Sequence, residues 1–324
     1  MKLAIFGAGK IVNDFASIVD DLPGLVVNAI FGQEKDVPAM QKLQKTAHID
    51  EIYTDLDKCL ATDTDTAYIG LPNALHFQFA KAALEAGKNV ICEKPFTLNE
   101  QQLTELINLA ESKHLILLEA ITNQYLANYK QLKADLSKLG NIKVISCNYS
   151  QYSSRYDAFR KGTVLPAFNP KLGGGALMDL NIYNIYFIVG LLGAPTEVHY
   201  LANVERHIDT SGVLIMNYPK TKVVSIGAKD VDAPVTTTIE GTEGSIVVSG
   251  PTNVLDHYTI KLRNQQSQIV DVKVHPHRMF QEFLQFTKIV DSHDLKFAEQ
   301  QLRQDEVVMH VIDQALAESK IKLG

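Results

Sequence analysis

The hydrophobic positions in the first third of the chain alternate between short apolar runs and stretches with helical spacing. Lys2–Phe6 is typical of a buried strand, and helical spacing follows Gly7-Ala8-Gly9 to about Asp20. Similar runs predict strands at Leu25–Phe31, Ala67–Gly70, Asn89–Cys92 and Leu115–Glu119. Because strands that alternate with helices pair in parallel through right-handed crossovers, this part predicts a doubly wound α/β sheet.

The helix boundaries carry their own signals. The clearest helical stretch runs from Leu75 to Ala86 and keeps its apolar side chains on one face. Gly87 follows it where a C-terminal cap belongs, and Asn99 precedes the next helical stretch as an N-terminal cap.

The pattern changes after about Tyr125. We expect helices at Tyr125–Leu139 and Gly175–Val189, with a strand at Ile142–Tyr149 between them. Apolar residues at every second position then predict strands at Thr196–Leu201, Gly212–Asn217, Lys222–Ala228, Thr236–Glu240, Ser245–Val248 and Tyr258–Leu262. Consecutive strands joined by short turns favour a large, mostly antiparallel sheet, and helices at about Arg278–Ser292 and Ala298–Ser319 end the chain.

Length and pattern together indicate two domains. The chain has 324 residues, and domains usually have about 100–200 residues each. We place a nucleotide-binding domain at 1–120 and a substrate-binding α+β domain at 121–324, with the C-terminal helix able to pack back on the first domain.

Composition and charge narrow the location and the partners. Hydrophobic residues make up 46% and charged residues 21%, the formal net charge is -6, and no block of Lys and Arg stands out. The apolar run Ile185–Leu192 is shorter than the roughly 20 residues of a spanning helix. We therefore expect neither a nucleic-acid nor a membrane partner.

We expect a cytoplasmic location for two reasons. The three cysteines, Cys59, Cys92 and Cys147, form neither a disulfide framework nor a metal pattern, and no cleavage site follows the apolar start.

A glycine-rich loop follows the first strand, where a dinucleotide phosphate site belongs. In Gly7-Ala8-Gly9-Lys10-Ile11, Gly7 permits a tight turn and Gly9 lets the backbone approach a pyrophosphate at the helix N-terminus. The third glycine of the usual fingerprint is replaced by Val12, so the match is partial. Two glycines in a turn need no ligand, but this position at the start of a strand-helix-strand unit favours NAD(P).

The residue that distinguishes NAD from NADP is ambiguous. An acidic side chain after the second strand would bind the ribose diol of NAD, whereas a basic one would meet the phosphate of NADP. Here Gln33 follows the strand, with Glu34 and Lys35 as solvated charges, and Gln33 is compatible with either cofactor.

Two further motifs carry candidate chemistry. Glu93-Lys94-Pro95 follows a strand at the carboxyl edge of the parallel sheet, where α/β sites form. Gly173–Gly175 precede Asp179 and Tyr183, which are four residues apart and would share one helix face. Each also has a purely structural interpretation: an exposed Lys before a turn, a first-turn acid and a core aromatic residue.

Taken together, the motifs resemble those of the Gfo/Idh/MocA family of oxidoreductases along nearly the whole chain. The resemblance rests on the G-x-G loop, the E-K-P sequence, the G-G-G-x-L-x-D segment and Leu71-Pro72-Asn73-Ala74-Leu75-His76, which is similar to the family's P-N-x-x-H loop. A Tyr four residues after the Asp is similar to the dimeric dihydrodiol dehydrogenase and glucose-fructose oxidoreductase branches, whose use of NADP tilts the cofactor choice slightly.

The resemblance implies a role for each matching residue. Lys94 would stabilise negative charge on the reacting oxygen of a small substrate. Tyr183 would donate a proton to that oxygen or accept one from it, and Asp179 would orient the substrate or Lys94. A free tyrosine has a pKa of about 10, and a nearby ammonium would favour its phenolate. Leu71, Pro72, Asn73 and His76 would line the nicotinamide side, with Glu93 at the ribose. The resemblance also allows a cis Lys94–Pro95 bond, the form of only about 5–6% of X-Pro bonds. A homodimer is expected through the second-domain sheet.

Two departures from the family pattern concern the substrate side. Asn181 stands where the family usually has Gly, so its side chain would crowd or contact the substrate. Ile121–Gln124 replaces an aromatic and Arg-containing stretch of the dihydrodiol branch. Two hypotheses follow: an active oxidoreductase for a sugar, a dihydrodiol or a related hydroxy-carbonyl compound, or a catalytically silent NAD(P)-binding sensor. His275 and His277 lack partners with ligand spacing, so no metal site is predicted.

Overall fold

The fold is described from a computed structural model that covers residues 1–324. Its helices are α1 Lys10–Ala16, α2 Val37–Thr46, α3 Leu56–Leu60, α4 His76–Glu85, α5 Glu100–Lys113, α6 Ala127–Asp135, α7 Tyr156–Arg160, α8 Ile182–Leu192, α9 Met279–Ser292 and α10 Leu295–Ser319. Its strands are β1 Lys2–Phe6, β2 Val26–Phe31, β3 Glu51–Tyr53, β4 Thr66–Ile69, β5 Asn89–Glu93, β6 Leu117–Ala120, β7 Ile142–Ser150, β8 Glu197–Glu205, β9 Ile208–Asn217, β10 Lys222–Ala228, β11 Thr236–Gly241, β12 Gly244–Ser249, β13 Tyr258–Leu262 and β14 Gln268–Val270.

The chain divides into two compact units. The first consists of Met1–Ala120 and Met279–Glu306, and the second of Ile121–Arg278 and Val307–Gly324. Helix α9 therefore groups with the first unit, where the Phe283 ring lies 4.2 Å from that of Phe15. Helix α10 contributes residues to both units.

The first unit contains a six-stranded parallel sheet in the order β3-β2-β1-β4-β5-β6. This doubly wound arrangement confirms the fold class predicted from the alternation of strands and helices. The caps are also as predicted: Asn99 Oδ1 accepts the Gln102 N–H at 2.9 Å, and Gly87 has a left-handed φ of +78° after α4. Strand β3 was not predicted, because its three residues, Glu-Ile-Tyr, are too few to show a period.

The partial phosphate-loop fingerprint has a steric explanation in the first unit. Val12 is fully buried, and a Cβ added to Gly70 would lie 2.6 Å from Val12 Cγ2. The close helix-strand packing that a third glycine usually provides is therefore obtained by removing the side chain opposite, at Gly70.

The second unit contains an eight-stranded sheet in the order β14-β13-β12-β11-β7-β10-β9-β8. All neighbouring strands are antiparallel except β7 and β10, which are parallel, so the mostly antiparallel prediction is confirmed. One face is buried, with Ile145, Leu214, Val223 and Ile239 fully inaccessible.

Helix α8 is the core helix of the second unit, and every residue from Asn181 to Gly190 is buried. The predicted helix from Gly175 begins instead with a π turn at Leu177–Asn181, and α8 continues from Ile182. Segment Pro170–Leu192 has the length and mean hydropathy, 1.4, of a membrane-spanning helix, but 78% of its most apolar stretch is buried inside the protein. A buried core helix meets the same criteria.

We predict that Gly70→Ala lowers the free energy of unfolding by about 1–3 kcal/mol, the usual cost of overpacking a buried contact. Val12 is β-branched and buried, so it has little freedom to move away from the added methyl group. Urea unfolding measures the change. Gly9→Ala is the matched control, since a Cβ there meets nothing within 4 Å and should leave stability nearly unchanged.

The double variant Val12→Ala, Gly70→Ala tests the explanation further. If the Val12–Gly70 contact is the cause, the double variant recovers part of the stability that Gly70→Ala loses. Equal stability of Gly70→Ala and wild type would contradict it.

Candidate functional site

The loop after β1 is shaped by two glycines with different roles. Gly7 has φ +112°, and a Cβ there would lie 2.6 Å from the Gly70 carbonyl oxygen. Gly9 is the N-cap of α1 and faces open space. The neighbouring Ala8, Lys10 and Ile11 are partly or fully exposed. Backbone N–H groups beside this open space fit the diphosphate of a dinucleotide.

Strand register brings three loops to the same edge of the sheet. Phe6 pairs with Ile69, and Ile69 pairs with Cys92, so β1, β4 and β5 end side by side. The phosphate loop, the loop that begins with Leu71 and the turn at Glu93 therefore lie together at the carboxyl edge, as the sequence predicted.

Gln33 lies beyond the end of β2 and is exposed. It forms a capping box with Asp36, whose Oδ2 accepts the Gln33 N–H at 3.3 Å. The Glu34 carboxylate accepts the Thr54 hydroxyl at 2.6 Å. Both carboxylates near Gln33 are thus engaged in local hydrogen bonds.

The loop after β4 is fixed from beneath by His76. Leu71 and Asn73 are partly exposed and Pro72 is exposed, whereas His76 is fully buried. Its Nδ1 lies 2.8 Å from the Pro95 carbonyl oxygen and its Nε2 lies 2.8 Å from that of Leu71. Burial lowers the pKa of His76, although the two carbonyls oppose the shift. His76 therefore joins two loops of the site, and its direct contact with a nicotinamide stays a prediction.

The turn that carries Lys94 is held on both sides. The Tyr68 hydroxyl donates to Glu93 Oε1 at 2.7 Å, and the Phe96 N–H donates to Glu119 Oε1 at 2.9 Å. The Lys94–Pro95 peptide bond is cis. Lys94 is the partly exposed residue between buried Glu93 and buried Pro95. Contact of Glu93 with a ribose stays a prediction.

Asp179 and Tyr183 belong to the second unit. Asp179 lies within the π turn, a feature that is frequent at functional sites, and its side chain is 40% exposed. Tyr183 follows in the first turn of α8 with 7% exposure, and its ring centroid lies 6.4 Å from that of Tyr149.

The expectation that Asn181 crowds or contacts the substrate is wrong. Asn181 is fully buried, and its Oδ1 accepts the Ser225 hydroxyl at 2.6 Å and the Asn184 amide at 3.1 Å. A Cβ at Gly227 would lie 2.7 Å from Asn181 Cβ. The side chain is turned into the sheet, because Gly227 leaves room for it there.

The unusual stretch Ile121–Gln124 also has a structural role. Asn123 Nδ2 donates to the Tyr183 carbonyl at 2.8 Å, and Gln124 Nε2 donates to the Tyr186 carbonyl at 3.0 Å. Both side chains therefore fix the backbone of α8 around Tyr183.

Sequence reasoning missed two buried charges near Asp179. Lys229 is 2% exposed and its Nζ lies 2.6 Å from Asp179 Oδ2. Asp209 is 1% exposed, and its Oδ2 accepts the Leu177 N–H at 2.6 Å and the Tyr200 hydroxyl at 2.7 Å. A signal for Lys229 was present, because it continues the inward-facing alternation of Val223, Ser225 and Gly227 beyond β10.

Burial sets the protonation of Asp209. Loss of hydration raises its pKa from 3.8 to about 6, against the opposing effect of its hydrogen bonds and of the Lys229 charge. The folded protein therefore holds this proton to higher pH than the unfolded chain does. Its contribution to stability consequently falls as pH rises through about 4 to 6.

We predict that the free energy of unfolding of Asp209→Asn, taken relative to wild type, is about 1 kcal/mol higher at about pH 7.5 than at about pH 5. The reason is that wild type loses stability over this range, whereas Asn cannot titrate. Urea unfolding at both pH values measures the difference. Glu299→Gln, at an exposed position of α10, is the control and should show no such gain. The same wild-type-to-variant difference at both pH values would show that Asp209 titrates normally.

Comparison with known proteins places both units in one family. Residues 1–121 match the oxidoreductase family with an NAD-binding Rossmann fold, and residues 131–247 match the GFO/IDH/MocA C-terminal domain. The 3-ketoreductase KijD10 of Actinomadura kijaniata, solved with NADP and TDP-benzene, has the same fold, with a TM-score of 0.82 at 20% identity over 97% of this chain and 98% of that one.

Curated relatives are similar over most of the chain. The scyllo-inositol 2-dehydrogenase (NADP(+)) IolU of Bacillus subtilis is 31% identical over 97% of this chain and 96% of its own length. The trans-1,2-dihydrobenzene-1,2-diol dehydrogenase of Xenopus tropicalis is 27% identical over 78% of each chain. These matches confirm the resemblance predicted from the motifs. The chain belongs to the Gfo/Idh/MocA family of NAD(P)-binding oxidoreductases.

Proposed function

We propose that the protein transfers a hydride between NAD(P) and a sugar, a dihydrodiol or a related hydroxy-carbonyl compound, with Lys94 and Tyr183 at the reacting oxygen. The observation that carries this proposal is the position of Lys94, partly exposed between two anchored buried residues at the carboxyl edge of the parallel sheet. The relatives named as inositol, xylose and dihydrodiol dehydrogenases support the substrate class.

The roles of the side chains follow from their chemistry. The nicotinamide supplies or accepts the hydride when it is bound. In the reducing direction the Tyr183 hydroxyl gives its proton to the substrate oxygen, and the Lys94 ammonium stabilises the negative charge that develops there. In the oxidising direction Tyr183 takes the proton back. Asp179 orients the substrate or Lys94.

NADP is the favoured cofactor. Gln33 offers no carboxylate for a ribose diol, and the nearby acids Glu34 and Asp36 are engaged with Thr54 and with the Gln33 N–H. The relatives IolU and the D-xylose 1-dehydrogenase of Hypocrea jecorina are named as NADP(+) enzymes, which supports the same choice.

The silent-sensor hypothesis loses its main support. It rested on Asn181, whose side chain was expected on the substrate side but lies against Gly227 in the sheet. The proton-transfer pair Lys94 and Tyr183 has no use in a sensor, so catalysis is favoured.

We infer a homodimer formed through the open face of the second sheet. On this face Ile215 pairs with Val224, and Val213 lies between Leu201 and Ile226, with Leu201 62% exposed. Such a patch of aliphatic side chains on neighbouring strands favours burial against a second copy.

We predict that Ile215→Asp sediments as a monomer, whereas Val274→Asp, at an exposed position outside the sheet, remains dimeric. A monomeric wild type would contradict the dimer.

The cytoplasmic location stays a prediction. Cys59, Cys92 and Cys147 are all buried as free thiols, which is compatible with a reducing compartment.

We predict that Tyr183→Phe loses turnover by about 100-fold or more while its affinity for NADPH stays near that of wild type. Lys94→Met should also lose about 100-fold, because the charge on the reacting oxygen is no longer stabilised. Initial rates with NADP(+) and a panel of inositols, aldoses and trans-dihydrodiols measure the loss, and fluorescence titration measures the affinity.

Tyr218→Phe is the matched control, because this tyrosine is also buried and its hydroxyl donates to the Gly193 carbonyl, at the opposite end of α8 from Tyr183. Full turnover in Tyr183→Phe would overturn its role as the acid. Wild-type inactivity toward the whole panel, with cofactor bound, would overturn the proposed substrate class.

A further inference from the structure

Lys229 is an unusual residue for its position. Along β10 the residues Val223, Ser225 and Gly227 lie at core-facing positions, and Lys229 occupies the next such position just beyond the strand. Its backbone is fixed on both sides, since its N–H donates to the Thr210 carbonyl at 2.8 Å and its carbonyl accepts the Ser153 N–H at 2.9 Å. The sheet therefore directs a charged side chain into the second unit, where a buried charge requires partners.

The Lys229 ammonium has three such partners. It donates to Asp179 Oδ2 at 2.6 Å and to the Ala167 carbonyl at 2.7 Å, and it lies 4.7 Å from the ring centroid of Phe168. These contacts use two of its three N–H donors and place its charge against an aromatic ring, and the side chain is only 2% exposed. Lys229 is thus placed to act on a substrate through other groups.

The partners of Lys229 belong to two different elements. Asp179 lies in the π turn before α8, and Ala167 and Phe168 lie in the segment 151–174. The Phe168 ring stacks on Phe159 at 4.8 Å, and the Arg206 guanidinium lies 4.7 Å from the other ring of this pair. One ammonium therefore joins the carboxylate of the proposed site to a segment of chain packed beside it.

We propose that Lys229 is a positioning residue, which fixes the Asp179 carboxylate and anchors segment 151–174 around it. This inference rests on the proposed function, because Asp179 matters for turnover only if the second unit binds the substrate. Without the ammonium, Asp179 loses a partner that lies 2.6 Å from its Oδ2, and the Ala167 carbonyl keeps the Gly175 N–H at 3.1 Å but loses its charged donor. A small misplacement of an orienting group is enough to lower turnover strongly.

A double-mutant cycle tests whether Lys229 affects turnover through Asp179. The full-length variants are Lys229→Met, Asp179→Asn and the combination, assayed for kcat and KM with the substrate that wild type turns over best. We expect Lys229→Met to lower kcat/KM by about 10–100-fold. The same substitution made in Asp179→Asn should cost no more than about twofold, because Lys229 acts through Asp179. Multiplied losses would overturn the inference.

Lys222→Met is the matched control, because Lys222 begins β10, which Lys229 follows, but is exposed and donates to Asn217 and Tyr218. It should keep wild-type kcat/KM. The combined variant also guards against misfolding, since it removes the carboxylate and the ammonium together. NADPH affinity should be unchanged in every variant.

Limited trypsin digestion provides a readout that needs no substrate. Segment 151–174 contains exposed Arg155, Arg160, Lys161 and Lys171, and Lys229→Met should be cleaved there at a higher rate than wild type or Lys222→Met. An unchanged cleavage rate would overturn the anchoring role of Lys229. Wild-type inactivity on the substrate panel would instead overturn the proposed function, so the two failures are distinguishable.

Discussion

The close approach of the loops after β1 and β4 is the constraint on which the cofactor half of the protein depends. Gly7 lies where a Cβ would meet the Gly70 carbonyl oxygen at 2.6 Å, and Val12 occupies the space that a Gly70 side chain would fill. These contacts let β1 and β4 end side by side and leave Gly9 open to a ligand. His76 and the turn that contains Glu93 place Lys94 at the same edge of the sheet. The close contact that requires glycine at positions 7 and 70 therefore also contributes to the position of Lys94.

The second unit positions its groups by buried polar contacts. Asp209 accepts the Leu177 N–H at the start of the π turn, Asn123 donates to the Tyr183 carbonyl, and Lys229 binds Asp179. Each contact is made by a side chain with little or no exposure to solvent, where a lost partner is costly. Contacts from the second sheet and from the residues that precede α6 therefore fix the segment that carries Asp179 and Tyr183.

Local patterns predicted most of the fold and the main site motifs. Hydrophobic period and turn residues predicted twelve of the fourteen strands. They missed β3 and β14, which have three residues each and are too short to show a period. The π turn, the inward orientation of Asn181 and the Lys229–Asp179 pair were not predicted. Each depends on a residue distant in sequence, such as Gly227 for Asn181, and no local period records such a pairing.

Titration of the purified protein with NADPH and NADH, followed by nicotinamide fluorescence, tests the central claim most directly. The chain has no Trp, so its own emission is weak. Saturable binding of at least one cofactor, tighter for NADPH and weakened by Gly9→Ala without loss of stability, is the result we predict. Binding of neither would mean that the loop from Gly7 to Val12 does not hold a dinucleotide, and the assignment of Lys94 and Tyr183 to hydride-transfer chemistry would fail with it.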